Sequence, residues 1–239
     1  MTRAAKPAAR AARATPAAPE SPVLQELFAE AYRLRLLRGF EEMLARCGYA
    51  RIAGVDEVGR GSLAGPVVAA AVVVDPRCLV PGVDDSKNVA APDRERIAKA
   101  IRESCFAVAV AQIPPDVIDR VNILEATRQA MGQALRSLRP EPDCAVVDAV
   151  ALRGFRFPCV PVVRGDTLSY AVACASIVAK VERDRMMTEL HDRYPQYGFA
   201  SHKGYSVPEH MEALAAYGPS PVHRLTFRQV LPRRSEARC

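Results

Sequence analysis

No stretch of this 239-residue chain approaches the roughly 18 uninterrupted apolar residues that a membrane-crossing helix needs, and its N-terminal stretch has no apolar centre of the signal-peptide kind. Both absences point to a cytosolic protein. The seven cysteines are an odd number and form no C-x-x-C pair, and several fall within apolar strand or helix patterns. They are expected to be reduced core residues, not a zinc site or a disulfide framework. No internal repeat is present. Residues of apolar type make up 49% of the chain, enough for a sizeable core in one domain with short appendages.

An excess of charge is also missing where it would matter most. The net charge is +6, but residues 1–22 and 228–239 together hold eight of the 33 bases and two of the 27 acids, leaving 25 of each in the body. Any affinity of the body for a polyanion therefore rests on local patches. The tails add at most a weak, salt-sensitive attraction to phosphates, and they serve solubility equally well.

What is there begins with "MTRAAKPAARAARATPAAPESP", an Ala/Pro/Arg stretch without aromatics that is too polar and Pro-broken to bury itself. From Leu24 to Cys47-Gly48, Leu27, Phe28, Leu34, Leu37, Phe40 and Leu44 recur at helical spacing. Strands follow: "RIAGVDE", a glycine-rich turn "GRGSLAG", the β-branched run "PVVAAAVVV" and, after a helical segment, "CFAVAVAQI". Two such strands joined by a short turn imply an antiparallel start. A helix "NILEATRQAMGQALRSL", strands "CAVVDAV" and "CVPVV", and a long helix from about Asp166 to His191 complete an α/β pattern with a mixed sheet.

Acids inside those apolar strands carry the functional signal, because a buried carboxylate is costly unless it is paired or bound to a cation. Asp56 and Glu57 interrupt the first strand, Asp148 closes "CAVVD", and Asp166 opens the long helix. Converging at strand ends, they would make an oxygen-rich site for hard divalent cations and metal-assisted phosphoryl transfer. Spacing alone leaves plainer readings open. Asp166 suits a helix cap, Asp148 a turn, and period-2 alternation turns Glu57 away from Asp56.

Taken together, "AGVDEVGRGSLAGPVVAAAVVV", "DDSK" at Asp84–Lys87, "VVRGD" with "ACASIVAKVERDRMM", and "YPQYGFASHKGY" resemble, in order and spacing, bacterial ribonuclease HII. The similarity runs from about Ile52 to Phe227. It implies an RNase H-like fold: a mixed five-stranded sheet flanked by helices, with a small C-terminal helical part. The implied organisation is a disordered basic tail (1–22), a helical appendage (23–48), a catalytic domain (49–200), a helical substrate-binding part (201–230) and a basic tail (231–239).

The resemblance further implies an endonuclease that cuts RNA in RNA/DNA hybrids and nicks duplex DNA 5′ of an embedded ribonucleotide; a monomer is expected. Products would carry 5′-phosphate and 3′-hydroxyl ends. The family's four acids fall on Asp56, Glu57, Asp148 and Asp166. With Mg²⁺ or Mn²⁺, one ion would activate water and a second would stabilise the leaving 3′ oxygen. The family's glycine-arginine-glycine loop falls on Gly59, Arg60 and Gly61, and its substrate-sensing tyrosine on Tyr205. Such glycines let backbone approach a ribose 2′-hydroxyl, a guanidinium offers phosphate a planar fork, and a ring stacks on a sugar.

Lys87, Arg164, Lys180, Arg183, His202 and Lys203 are further candidate phosphate contacts, although the charges of "AKVERDRMM" fit a solvated helix face equally well. Two departures stand out. Ser62 replaces the family's usual proline and Ala149 its usual glycine, which bears on loop rigidity and strand-end geometry. Another acid-triad nuclease of the same architecture would share the metals but not the loop and tyrosine, while a non-enzymatic binding module would have no use for buried acids.

Overall fold

The computed structural model describes residues 22–231, so both tails lie essentially outside the described residues. Two helices, α1 (Pro22–Leu37) and α2 (Gly39–Arg46), precede the sheet. The strands β1 (Ile52–Val58), β2 (Val67–Val73) and β3 (Ala107–Ile113) form an antiparallel meander, and β4 (Cys144–Asp148) and β5 (Cys159–Val162) run parallel beyond β1. The order is β3-β2-β1-β4-β5, the mixed five-stranded sheet expected. Every residue of β2 is buried, which explains its unbroken apolar run: the strand is covered on both faces and needs no polar alternation.

One face packs on α3 (Ala91–Ser104) and α7 (Tyr170–Arg193), the other on α4 (Pro115–Val121) and α5 (Ile123–Ser137). The short α6 (Gly165–Leu168) precedes α7, and α8 (Phe199–His202) and α9 (Pro208–Tyr217) belong to the C-terminal part. Against β1, α7 comes so close at Gly54 that a Cβ there would sit 1.9 Å from the carbonyl carbon of Ala171. Only a hydrogen fits, and the small residues that open α7 make the approach possible.

Three expectations change. The long helix from Asp166 is broken at Ser169, whose extended backbone (φ −131°) ends α6 and whose hydroxyl accepts a hydrogen bond from Val172 N–H to cap α7. Helical periodicity runs through such a cap because Ser is compatible with both states. Segment 23–48 is two helices meeting at Arg38, and it is tied into the body: Leu34 joins the core, and buried Glu41 accepts from Ser169 Oγ (2.5 Å) and from Ala171 N–H (2.9 Å) at the start of α7. All described cysteines are free, as expected, but only Cys144 and Cys174 are buried, while Cys47 and Cys78 are exposed. Cys239 lies outside the described residues.

Candidate active site

Asp56 and Glu57 sit at the C-terminal end of β1, and Asp148 ends the parallel neighbour β4, so strand pairing alone brings the three acids to one edge. Each presents an oxygen within 4.8 Å of the others. The alternation that would turn Glu57 away is overcome because β1 ends one residue later and Arg60 Nη1 holds Glu57 Oε1 at 3.1 Å. Asp148 Oδ1 accepts from Gly165 N–H (2.7 Å), which ties β4 to α6 and sets Asp166 beside the cluster. Lys87 Nζ lies 3.3 Å from Asp166 Oδ2 and 3.5 Å from Asp85 Oδ1.

Crowding acids in a dry place makes each harder to ionise. Burial pushes Asp56 well above the ordinary carboxylate range, with the Glu57 charge adding to it and a hydrogen bond from Ser176 opposing. Burial likewise raises Glu57, against the pull of Arg60, and Asp148, against the Gly165 N–H. Burial works against the Lys87 ammonium, but Asp85 and Asp166 outweigh it and leave its pKa raised. Glu57 Oε2 is buried with no hydrogen-bond partner among the described residues. An unpaired carboxylate oxygen beside two more carboxylates is an oxygen-only donor set that suits a hard divalent cation.

Of the fourteen candidate residues named from the sequence, ten line one cavity of about 270 Å³: the four acids, the loop Gly59, Arg60 and Gly61, and Lys87, Lys180 and Tyr205. Larger clefts exist, such as one of about 590 Å³ around Arg136 and Phe155, but carboxylates cluster to metal-binding distance only in the smaller one among the described residues. Sequence reading passed over two residues of this cavity, Ser86 and Ser176, whose hydroxyls are 3.0 Å apart. The signal was available, since Ser86 lies inside "DDSK" and Ser176 one helical turn before Lys180. Lys180 itself is half-engaged, bonded to Asp184 at 2.6 Å, and burial lowers its pKa.

Arg183, expected to bind substrate, is a correction. It is fully buried, and its guanidinium donates to Pro66 O, Ala64 O, Lys203 O and Ser62 Oγ at 2.6–3.2 Å. Four of its five N–H donors are spent inside the protein, and the full burial of the side chain keeps a phosphate from reaching it. Spacing on α7 could not reveal this, because the carbonyls that claim the side chain come from the distant β1–β2 loop and from the turn after α8. Arg224, also fully buried, donates to Gly65 O and Arg60 O on the same loop. Two guanidiniums thus hold the β1–β2 loop, and a Cβ on Gly59 (φ +90°) would strike Arg183 Nε at 2.1 Å. Among the other phosphate candidates, His202 has both ring nitrogens engaged, by Tyr197 O and Gly204 N–H. Arg164 is exposed at the N-terminus of α6 with φ +57°, and Lys203 Nζ lies 3.4 Å from Thr188 Oγ1.

Comparison with known proteins agrees with this geometry. The family model described as Ribonuclease HII matches residues 53–230. The chain belongs to the ribonuclease HII family. It is 47% identical over 198 residues to the ribonuclease HII of Ruminiclostridium cellulolyticum, covering 83% of this chain and 78% of that one. Among solved structures it resembles the ribonuclease H2 of Pyrococcus horikoshii OT3 (TM-score 0.68, 28% identity, 76% of this chain and 95% of that one). The fold is also that of Bst-RNase HIII, solved in complex with Mn²⁺ (TM-score 0.63, 20% identity, 84% of this chain and 71% of that one). As a ribonuclease HII the chain is a metal-dependent endoribonuclease of the ribonuclease H class with an RNase H-like fold. Of the described helices, none is long and apolar enough to cross a membrane.

Proposed function

We propose that this enzyme, beyond hydrolysing the RNA strand of RNA/DNA hybrids, nicks duplex DNA on the 5′ side of an embedded ribonucleotide and leaves 5′-phosphate and 3′-hydroxyl ends. The observation that carries this reading is the shared cavity in which three clustered carboxylates face Gly59-Arg60-Gly61 and the partly exposed ring of Tyr205. The acids alone would fit any metal nuclease; the loop and ring beside them fit a reader of one ribose.

Asp56, Glu57 and Asp148, with Asp166 beside them, would hold Mg²⁺ or Mn²⁺. Bound there, the ions supply Lewis-acid activation of water and stabilisation of the leaving 3′ oxygen. The chain's own groups do the rest. Lys87, held by Asp85 and Asp166, offers an ammonium to the phosphate at the mouth of the site. The Arg60 side chain, 42% exposed, pairs its guanidinium with Glu57 and reaches the same phosphate. Backbone at Gly61 is open, since a Cβ there would meet nothing within 4 Å, so a 2′-hydroxyl can approach it. Tyr205 stacks on the neighbouring sugar and holds the scissile phosphate in line. All four acids come from one chain, which accords with action as a monomer, and we place that action in the cytoplasm.

The test is cleavage in Mg²⁺ of labelled duplex DNA carrying one ribonucleotide, beside an all-DNA duplex and an RNA/DNA hybrid. Nicking 5′ of the ribonucleotide with the all-DNA duplex intact is the expected result. Equal cutting of both duplexes would favour an unselective acid-triad nuclease. Tyr205→Ala should cut the single-ribonucleotide substrate far more slowly while melting within a few degrees of the parent; a parental rate would remove Tyr205 from the site.

A further inference from the structure

Three of the four histidines in the chain, His202, His210 and His223, meet behind the turn that carries Tyr205. The His202 and His210 rings stack at 4.5 Å, and the His210 and His223 centroids are 5.3 Å apart. His210 and His223 are buried. Every ring nitrogen has a partner, and the fixed polarity of those partners places each proton. Tyr205 O, 2.9 Å from His210 Nδ1, only accepts, so Nδ1 carries the hydrogen and Nε2 is left to accept. The group facing it at 3.0 Å is His223 Nε2, which must donate; His223 Nδ1 in turn accepts from Ser220 N–H at 2.9 Å. His202 follows the same logic, donating from Nε2 to Tyr197 O (2.7 Å) and accepting at Nδ1 from Gly204 N–H (3.2 Å). Three rings, each with one proton, satisfy six ring nitrogens.

We propose that Ser220, His223 and His210 form a neutral hydrogen-bond relay that positions Tyr205 for the substrate, with His210 as the positioning residue and His202 locking the adjacent Gly204. This rests on the reading of Tyr205 as the sugar-stacking ring. An extra proton on His210 Nε2 would set N–H against N–H at 3.0 Å. At His223 Nδ1 it would oppose Ser220 N–H, with only the Ser220 hydroxyl, 2.8 Å away, able to turn and accept it. The other titratable and charged groups around the relay are Tyr197, packed on His223, Tyr205, and Arg224, whose guanidinium is turned to Gly65 O and Arg60 O. Among the described residues no carboxylate pairs with any of the three rings, so nothing nearby rewards a charged imidazole. Burial accordingly holds the pKa of His210 low and that of His223 at about 4, which keeps both neutral at physiological pH.

Nitrogen-15 NMR of the full chain labelled at histidine tests the relay directly. His210 should appear as the Nδ1–H tautomer and His202 and His223 as Nε2–H tautomers at pH 7; a His210 protonated on Nε2, or cationic, overturns the proposal. The functional arm compares His210→Phe, which keeps a ring for the stack but no donor, with His210→Asn, whose amide can still donate to Tyr205 O. On the single-ribonucleotide substrate His210→Phe should lower kcat about tenfold or more with metal affinity unchanged, and His210→Asn should recover most of it. Equal rates for the parent and both variants overturn it. If His210→Phe does not fold, His223→Gln against His223→Phe makes the same comparison. In a Tyr205→Ala background the His210 substitution should add no further loss; an additive loss would show that His210 does not act through Tyr205. A parental rate for Tyr205→Ala itself would instead sink the reading of Tyr205, a separate result.

Discussion

Arg183 Nη2 donates to Ser62 Oγ at 2.6 Å, both side chains fully buried, and the same hydroxyl donates onward to Gly59 O at 2.9 Å. Where the family usually has a proline, this chain therefore uses a hydroxyl to link the buried guanidinium to the first glycine of the loop. A proline stiffens such a loop through its ring; the serine holds it through two hydrogen bonds.

From this follows a first prediction. Arg183→Met should destabilise the protein by about 3 kcal/mol or more, because the carbonyls of Ala64, Pro66 and Lys203 lose their donor in a dry site. Arg183→Lys should recover little of it, since one ammonium cannot span that fork. Denaturant unfolding measures the loss. A variant as stable as the parent that instead binds substrate more weakly, with a shallower salt dependence, would make Arg183 a phosphate contact after all.

Asp56→Asn should abolish cleavage and yet stabilise the metal-free protein at neutral pH. The folded-state pKa of Asp56 is raised, so its contribution is favourable below the ordinary carboxylate pKa and is lost as pH rises through the folded value. Melting in chelator from pH 5 to 8 should therefore fall with pH more steeply in the parent than in the variant. Added Mn²⁺ should raise the melting temperature of the parent well above its chelated value and that of the variant much less. Parallel pH curves for the two proteins would contradict this account of the site.

Gly54→Ala places a methyl 1.9 Å from backbone of α7, which no rotamer can relieve. A loss of about 3 kcal/mol or more, or failure to fold, is expected. A melting temperature within a few degrees of the parent would mean that α7 can stand away from β1.

Ala149→Gly should do the opposite. Ala149 follows the third acid with φ +47°, a left-handed conformation that costs an alanine about 1–2 kcal/mol, partly offset by the extra freedom glycine has when unfolded. A net gain of about 0.5–1 kcal/mol is expected, with cleavage retained, and equilibrium unfolding would show it. A loss of stability would mean that the alanine methyl packs better than its backbone is strained.

The sheet was legible in the chain itself. Each strand of the α/β pattern was a short β-branched or apolar run between turn signals, and such runs have few alternatives once a core must form. The four acids were legible for a similar reason: a carboxylate among valines needs a partner, and the motifs around Asp56, Asp148 and Asp166 restricted which partner. What only the tertiary structure decided lies where an interaction joins distant segments. On α7, Arg183 and Lys180 read alike in sequence, yet one is claimed by carbonyls of the β1–β2 loop and the other borders the cavity. Ser169 read as one more helical residue until α2 brought Glu41 against it. His210 and His223 were unremarked singles, because a relay of neutral rings has no local periodicity. Local patterns report burial, which every residue of an element shares with its neighbours. Which polar atoms face each other across the core depends on how those elements pack, and there the chain's own order carries no such information.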